Sequence, residues 1–176
     1  MRKENLRCLT VSGLCLALAV VLPLLTGQLR ETGKMLCPMH FPVILCGFVC
    51  GFPWGAIVGI VAPLFRSLIF GMPSLYPTAI AMSAELFTYG LLTALLSRAL
   101  PYKTLYIYVT LLVSMIAGRL VSGAVQLTLV GFDVSKYPLA TFISAAVTSC
   151  VPGIILQIVI IPPLVKLIKP KMRKGL

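Results

Sequence analysis

Apolar residues fill most of this chain in long blocks, and the polar residues that interrupt them are of two kinds: those that end a block and a few that stand inside one. A helix that crosses a bilayer needs about 20 predominantly apolar residues. With proline, glycine and charge as punctuation, the blocks predict six helices, at Arg7 to Thr26, Met39 to Phe52, Trp54 to Phe70, Pro77 to Arg98, Thr104 to Val130 and Leu139 to Ile168, in a single membrane domain over residues 1–176. The second block is short for a span. It is expected to tilt or to be partly re-entrant, with its backbone covered by protein.

Composition agrees with the pattern. A 176-residue chain that is 59% hydrophobic and 11% charged, with mean hydropathy +1.04, has too few polar residues to coat a soluble globule. The formal charge of +11 would suggest nucleic acid in a soluble chain. Here the basic residues stand at block ends, which is how orientation in a membrane is encoded.

Placing the N-terminus inside puts Arg2, Lys3, Arg7, Arg98, Lys103, Lys166, Lys169, Lys171, Arg173 and Lys174 on the cytoplasmic side and only Arg30, Lys34 and Lys136 outside. Both termini are therefore expected in the cytoplasm. The N-terminal block has a basic start but no A-x-A cleavage site following its apolar run, so it is expected to be retained as the first span. Tyr102, Tyr106, Tyr108 and Trp54 read as interfacial anchors. The basic tail suits anionic lipid.

Inside the blocks stand Arg66 in PLFRSLIFG, Glu85 in AMSAELFTYG and Arg119 in MIAGRLVSGA. A charge at mid-bilayer costs at least about 2.5 kcal/mol, so such residues pair or line a polar cavity. Along ideal helices Arg66 lies about 18 Å from the start of its block, Glu85 about 12 Å and Arg119 about 22 Å. All three then fall in the outer half, with His40 and Gln126 at the same level. The expectation is one polar cluster open to the outside, beneath the loop from Gly27 to Pro38. A buried Arg66–Glu85 pair that only fixes packing is the structural alternative. Against it, two arginines and one glutamate leave a surplus positive charge that a ligand with a carboxylate, phosphate or electron-rich edge would complete. Tyr89, one turn from Glu85 on the same face, is expected to border that ligand.

Between Pro42 and Pro63, Gly47, Gly51, Gly55 and Gly59 recur every fourth residue across a turn at Phe52-Pro53-Trp54. Small residues at that spacing let membrane helices approach closely, so the second and third helices are expected to form a tight hairpin. Gly13 and Ala17 repeat the spacing on the first helix.

The six-span layout, the P-x4-G-x3-G-x3-G-x3-G run from Pro42 to Gly59 and the RSLIFGMPSLYPTAIAM segment before an acidic fourth helix resemble the substrate-binding S components of energy-coupling factor (ECF) transporters, particularly the branch of riboflavin, folate and pantothenate carriers. The resemblance implies an all-α integral membrane bundle in a prokaryotic cell membrane. It implies capture of a small water-soluble vitamin from outside, a lid formed by the loop from Gly27 to Pro38, and docking on a transmembrane coupling subunit served by two cytoplasmic ATPases. Toppling in the membrane would then release the substrate. Gly13 and Ala17 occupy the place of the family's A-x-x-x-A docking pair, with glycine for the first alanine. No G-x4-G-K-[ST] loop occurs, so ATP is expected to be hydrolysed by the partners, and this chain is expected to hold no cofactor.

Other classes are less well supported. Cys37-Pro38-Met39-His40 sets soft and imidazole ligands together, as a transition-metal carrier would, but the Met-His pair lacks the free terminal amine that related metal carriers use. An enzyme would need a paired acid and base, whereas His40 is the only histidine and Glu85 the only carboxylate within a span. A free-standing channel or facilitator would need polar inner halves, and GLLTALL and IVIIPPLV offer none. The cysteines, mostly within apolar runs, read as small packing residues without disulfides.

Overall fold

The computed structural model describes residues 2–25, 37–101, 103–129 and 151–174, with side chains over 4–24, 37–101, 103–129 and 151–169. Residues 26–36, which hold most of the expected lid, lie outside this set. So do Arg30, Lys34, Tyr102, Lys136, Cys150 and the first part of the expected sixth helix.

The described residues form six α-helices and no strand: α1 (Arg2–Leu25), α2 (His40–Cys50), α3 (Trp54–Phe70), α4 (Ile80–Ala99), α5 (Thr104–Leu129) and α6 (Val151–Lys174). A short segment, Leu75–Ala79, with Tyr76 in an extended conformation (φ −116°, ψ 134°), leads through a kink into α4. Four of these helices are long and apolar enough to cross a membrane: α1, α4 with its leading segment, α5 and α6. The expectation of six spans is met only in part. With 11 residues, α2 is about 16 Å long, half the hydrocarbon thickness. Its 17-residue partner α3 is about 25 Å long.

Helix α4 is the hub. It packs against α2, α3 and α5, while α1 lies across α2 and α3, and α6 rests on α2 and α5. Buried Val43, Ile44, Leu86, Tyr89, Leu111 and Ile161 make the core from four of these helices. The opposite faces are apolar and uncovered: Ile57, Ile60, Phe65 and Leu68 on α3, Leu105, Leu112, Ile116 and Leu120 on α5, and Ile155 and Val159 on α6 are exposed. An apolar outer belt around a polar-containing interior is the surface a lipid-embedded protein needs.

The glycine run explains the tightest packing. A Cβ on Gly55 would come within 2.6 Å of the Gly47 Cα and 3.0 Å of the Gly90 carbonyl oxygen, so α2 and α3 do close into a hairpin. The same glycines also admit α4, because a Cβ on Gly59 would lie 2.6 Å from the Leu86 carbonyl carbon and one on Gly90 would run into the Gly55 carbonyl. The stripe is thus a three-helix junction rather than a two-helix seam. Gly51, at φ +74°, ends α2 by giving its N–H to the Gly47 carbonyl at 3.2 Å. Only glycine adopts that backbone without strain.

Candidate functional site

Close packing at the junction fixes the register of the helices. α3 runs antiparallel to α4, with Gly55 beside Gly90 and Gly59 beside Leu86. α5 is also antiparallel to α4, with Gly118 against the Tyr89 ring and the Glu85 backbone oxygen. α2 runs parallel to α4, setting His40 beside Glu85 and Gly47 beside Gly90 and Thr93.

At that level a buried polar cluster forms around one carboxylate oxygen. Glu85, only 3% exposed, receives at Oε1 the Tyr89 hydroxyl at 2.8 Å, meets His40 Nε2 at 3.3 Å and lies 3.3 Å from Arg119 Nε. Tyr89 reaches Glu85 because residues four apart share a helix face. Its ring is fully buried and stands 5.4 Å from the His40 ring, centroid to centroid. Gly118 has no side chain where that ring lies, so the glycine next to Arg119 makes room for the tyrosine that holds Glu85. Arg119 Nη2 extends on to Cys37 Sγ at 3.8 Å, just before α2 begins.

His40, Glu85, Tyr89 and Arg119 are thereby brought together. Arg66 and Gln126 stand apart. Counting from Gly59 and Gly118, Arg66 and Gln126 lie about 9 and 12 Å beyond Glu85 toward the Ile80 end of α4. Among the described residues Arg66 pairs with no carboxylate, and its buried Nε has no hydrogen-bond partner, so the alternative of an Arg66–Glu85 pair is not what the fold builds. Gln126 is half-buried. Side chains on a helix lean toward its N-terminus, and both α3 and α5 start at the far end, so Arg66 and Gln126 tilt back toward the Glu85 level.

Cys37 was read in the sequence with Met39 and His40 as a run of soft ligands; in the fold its sulfur faces Arg119. Among the described residues no three or more His, Cys, Asp or Glu side chains gather into a metal-ligand set. The described cysteines carry no disulfide; Cys46 meets Ser12 Oγ at 3.5 Å between α1 and α2. Gly13 and Ala17 lie on an exposed face of α1, and a Cβ on Gly13 would meet nothing within 4 Å.

Four helices long and apolar enough to cross a membrane, with an apolar outer belt around a buried polar cluster, define a multi-pass membrane protein. Residues 7–165 match the family described as the ECF transporter, substrate-specific component, and the chain belongs to that family. Membership implies association with a transmembrane coupling subunit and ATPases. Neither a curated protein nor a solved structure matches the chain.

Proposed function

We propose that this protein captures a small water-soluble vitamin or related micronutrient from outside a prokaryotic cell and hands it to partner subunits for ATP-driven import. Both termini are then cytoplasmic, and the His40 end of α2 faces outward. The observation that carries the reading is the second tier of polar groups. Glu85 is already compensated by Arg119, His40 and Tyr89, so among the described residues the guanidinium of Arg66, about two turns farther out, has no carboxylate to balance it. A carboxylate, phosphate or electron-rich edge on the substrate would satisfy it, with bidentate geometry that lysine could not offer.

In this reading Arg66 and Arg119 recognise the substrate's acceptor groups, and His40 and Gln126 add polar contacts. Glu85 anchors Arg119 or accepts from a substrate donor, and Tyr89 borders the site while holding Glu85 in place. The direct test is mass spectrometry of small molecules that co-purify with the detergent-extracted protein. Recovery of a vitamin-like compound that is lost from Arg66→Ala is the expected result. Equal recovery from wild type, Arg66→Ala and Arg119→Ala would remove the site assignment.

A further inference from the structure

Gln157 is 2% exposed, and among the described residues its side-chain Oε1 has no hydrogen-bond partner. An unpaired amide oxygen in a membrane protein's interior is costly, and a structural glutamine would be expected to find a donor. The Lys169 ammonium donates to the Ser97 carbonyl at 3.3 Å, which ties the C-terminal part of α6 to the end of α4. Twelve residues back along both helices, about 18 Å, stand Gln157 and Glu85. Gln157 shares a face with Ile161, one turn on, which is fully buried in the core. Helix α6 as a whole rests on α2 and α5, the two helices that bring His40 and Arg119 to the same level. His40 contributes a second such atom at that level: its buried Nδ1 has no hydrogen-bond partner among the described residues.

We infer that Gln157 is a further substrate-binding residue, whose Oε1 accepts a hydrogen bond from an O–H or N–H of the substrate. The inference rests on the carrier reading above and narrows it: the substrate offers a donor at the Glu85 level as well as an acceptor or anion for Arg66 farther out. Hydroxy- or amide-bearing carboxylates meet both demands. A purely anionic ligand with no donor meets only one.

The test uses thermal-shift titration of the purified full-length protein with pantothenate, riboflavin, folate and pyridoxine as separate probes, for wild type, Gln157→Leu and Gln157→Ala. Leucine replaces the amide by an apolar group of similar size, so an orphaned oxygen disappears without leaving a hole. Expected is an unchanged or raised melting temperature for ligand-free Gln157→Leu, with affinity for the probe that binds wild type reduced roughly 10- to 100-fold in both variants. Two results overturn the inference while leaving the carrier reading intact. One is wild-type affinity in both variants. The other is a ligand-free Gln157→Leu protein that melts well below wild type, which would mean that the amide holds the helices together. A wild-type protein shifted by no probe and carrying no co-purified small molecule would overturn the carrier reading and this inference with it.

Discussion

The Tyr89 hydroxyl donates to Glu85 Oε1 at 2.8 Å from one turn along the same helix, and its ring occupies the space left by Gly118 on the neighbouring helix. One residue therefore both aims the carboxylate and locks α4 against α5. Tyr89→Phe keeps the ring and deletes the donor, so the packing survives while Glu85 loses its shortest contact. A loss of about 1 kcal/mol in stability is expected, read as a lower melting temperature in detergent, with weaker substrate binding because Glu85 no longer holds Arg119 at a fixed position. A variant that melts and binds as wild type would show that His40 and Arg119 suffice to hold the carboxylate.

Gly90 makes the complementary case for the three-helix junction. A methyl group there would overlap the Gly55 carbonyl, a backbone atom that cannot move aside as a flexible side chain can. Gly90→Ala is expected to cost roughly 1 to 3 kcal/mol through overpacking, and Gly118→Val to displace the Tyr89 ring. Melting temperature measures the first. Loss of binding with partial retention of fold measures the second.

Much of this was legible in the sequence, for identifiable reasons. The apolar blocks placed α3 at its observed bounds, Trp54–Phe70, because Pro53 and Gly71 punctuate it on both sides. Glu85, Arg119 and His40 stood out as polar groups in apolar runs, and the i, i+4 rule attached Tyr89 to Glu85. Arg66 was assigned to the same level as Glu85 because depth was counted from each block's own start, whereas glycine contacts set the offset between α3 and α4. That offset depends on which backbones touch, and periodicity within one helix does not contain it. Gly90 and Gly118 were passed over for the same reason: each is a lone glycine whose value lies in the atom opposite. The length of α2 was read correctly as short for a span, and the fold ends it at Gly51 rather than carrying it to Phe52.

Helix α1 provides a variant that separates assembly from folding. Gly13 and Ala17 sit on an exposed face flanked by exposed Leu6, Leu9, Leu14 and Leu18, and we propose this face as the contact with the coupling subunit. A Cβ at position 13 meets nothing within 4 Å among the described residues and Gly13→Leu replaces a poor helix former by a good one, so the isolated protein is expected to be as stable as wild type or more so, by up to about 1 kcal/mol. Substrate binding should be unchanged. Co-purification with the coupling subunit should fall sharply, since a bulky side chain blocks close approach of helices. Full assembly of Gly13→Leu would place the docking surface elsewhere.

The two arginines should separate in the same way that their surroundings do. Arg119 compensates a buried carboxylate, so Arg119→Ala leaves Glu85 with two polar neighbours and no guanidinium. Because the arginine side chain is itself 19% exposed, the loss is expected on the order of 2 kcal/mol rather than the larger cost of a fully desolvated pair. The double variant Arg119→Ala with Glu85→Gln should recover part of it by removing the stranded charge. Arg66 compensates nothing among the described residues, and its Nε is buried without a partner. Arg66→Ala should therefore melt at or above the wild-type temperature while losing at least about ten-fold in substrate affinity, since a charge-assisted hydrogen bond is worth about 1.5 to 3 kcal/mol. Paired melting and binding titrations of the three variants decide the matter. A destabilised Arg66→Ala with unimpaired binding would reassign that arginine from recognition to packing.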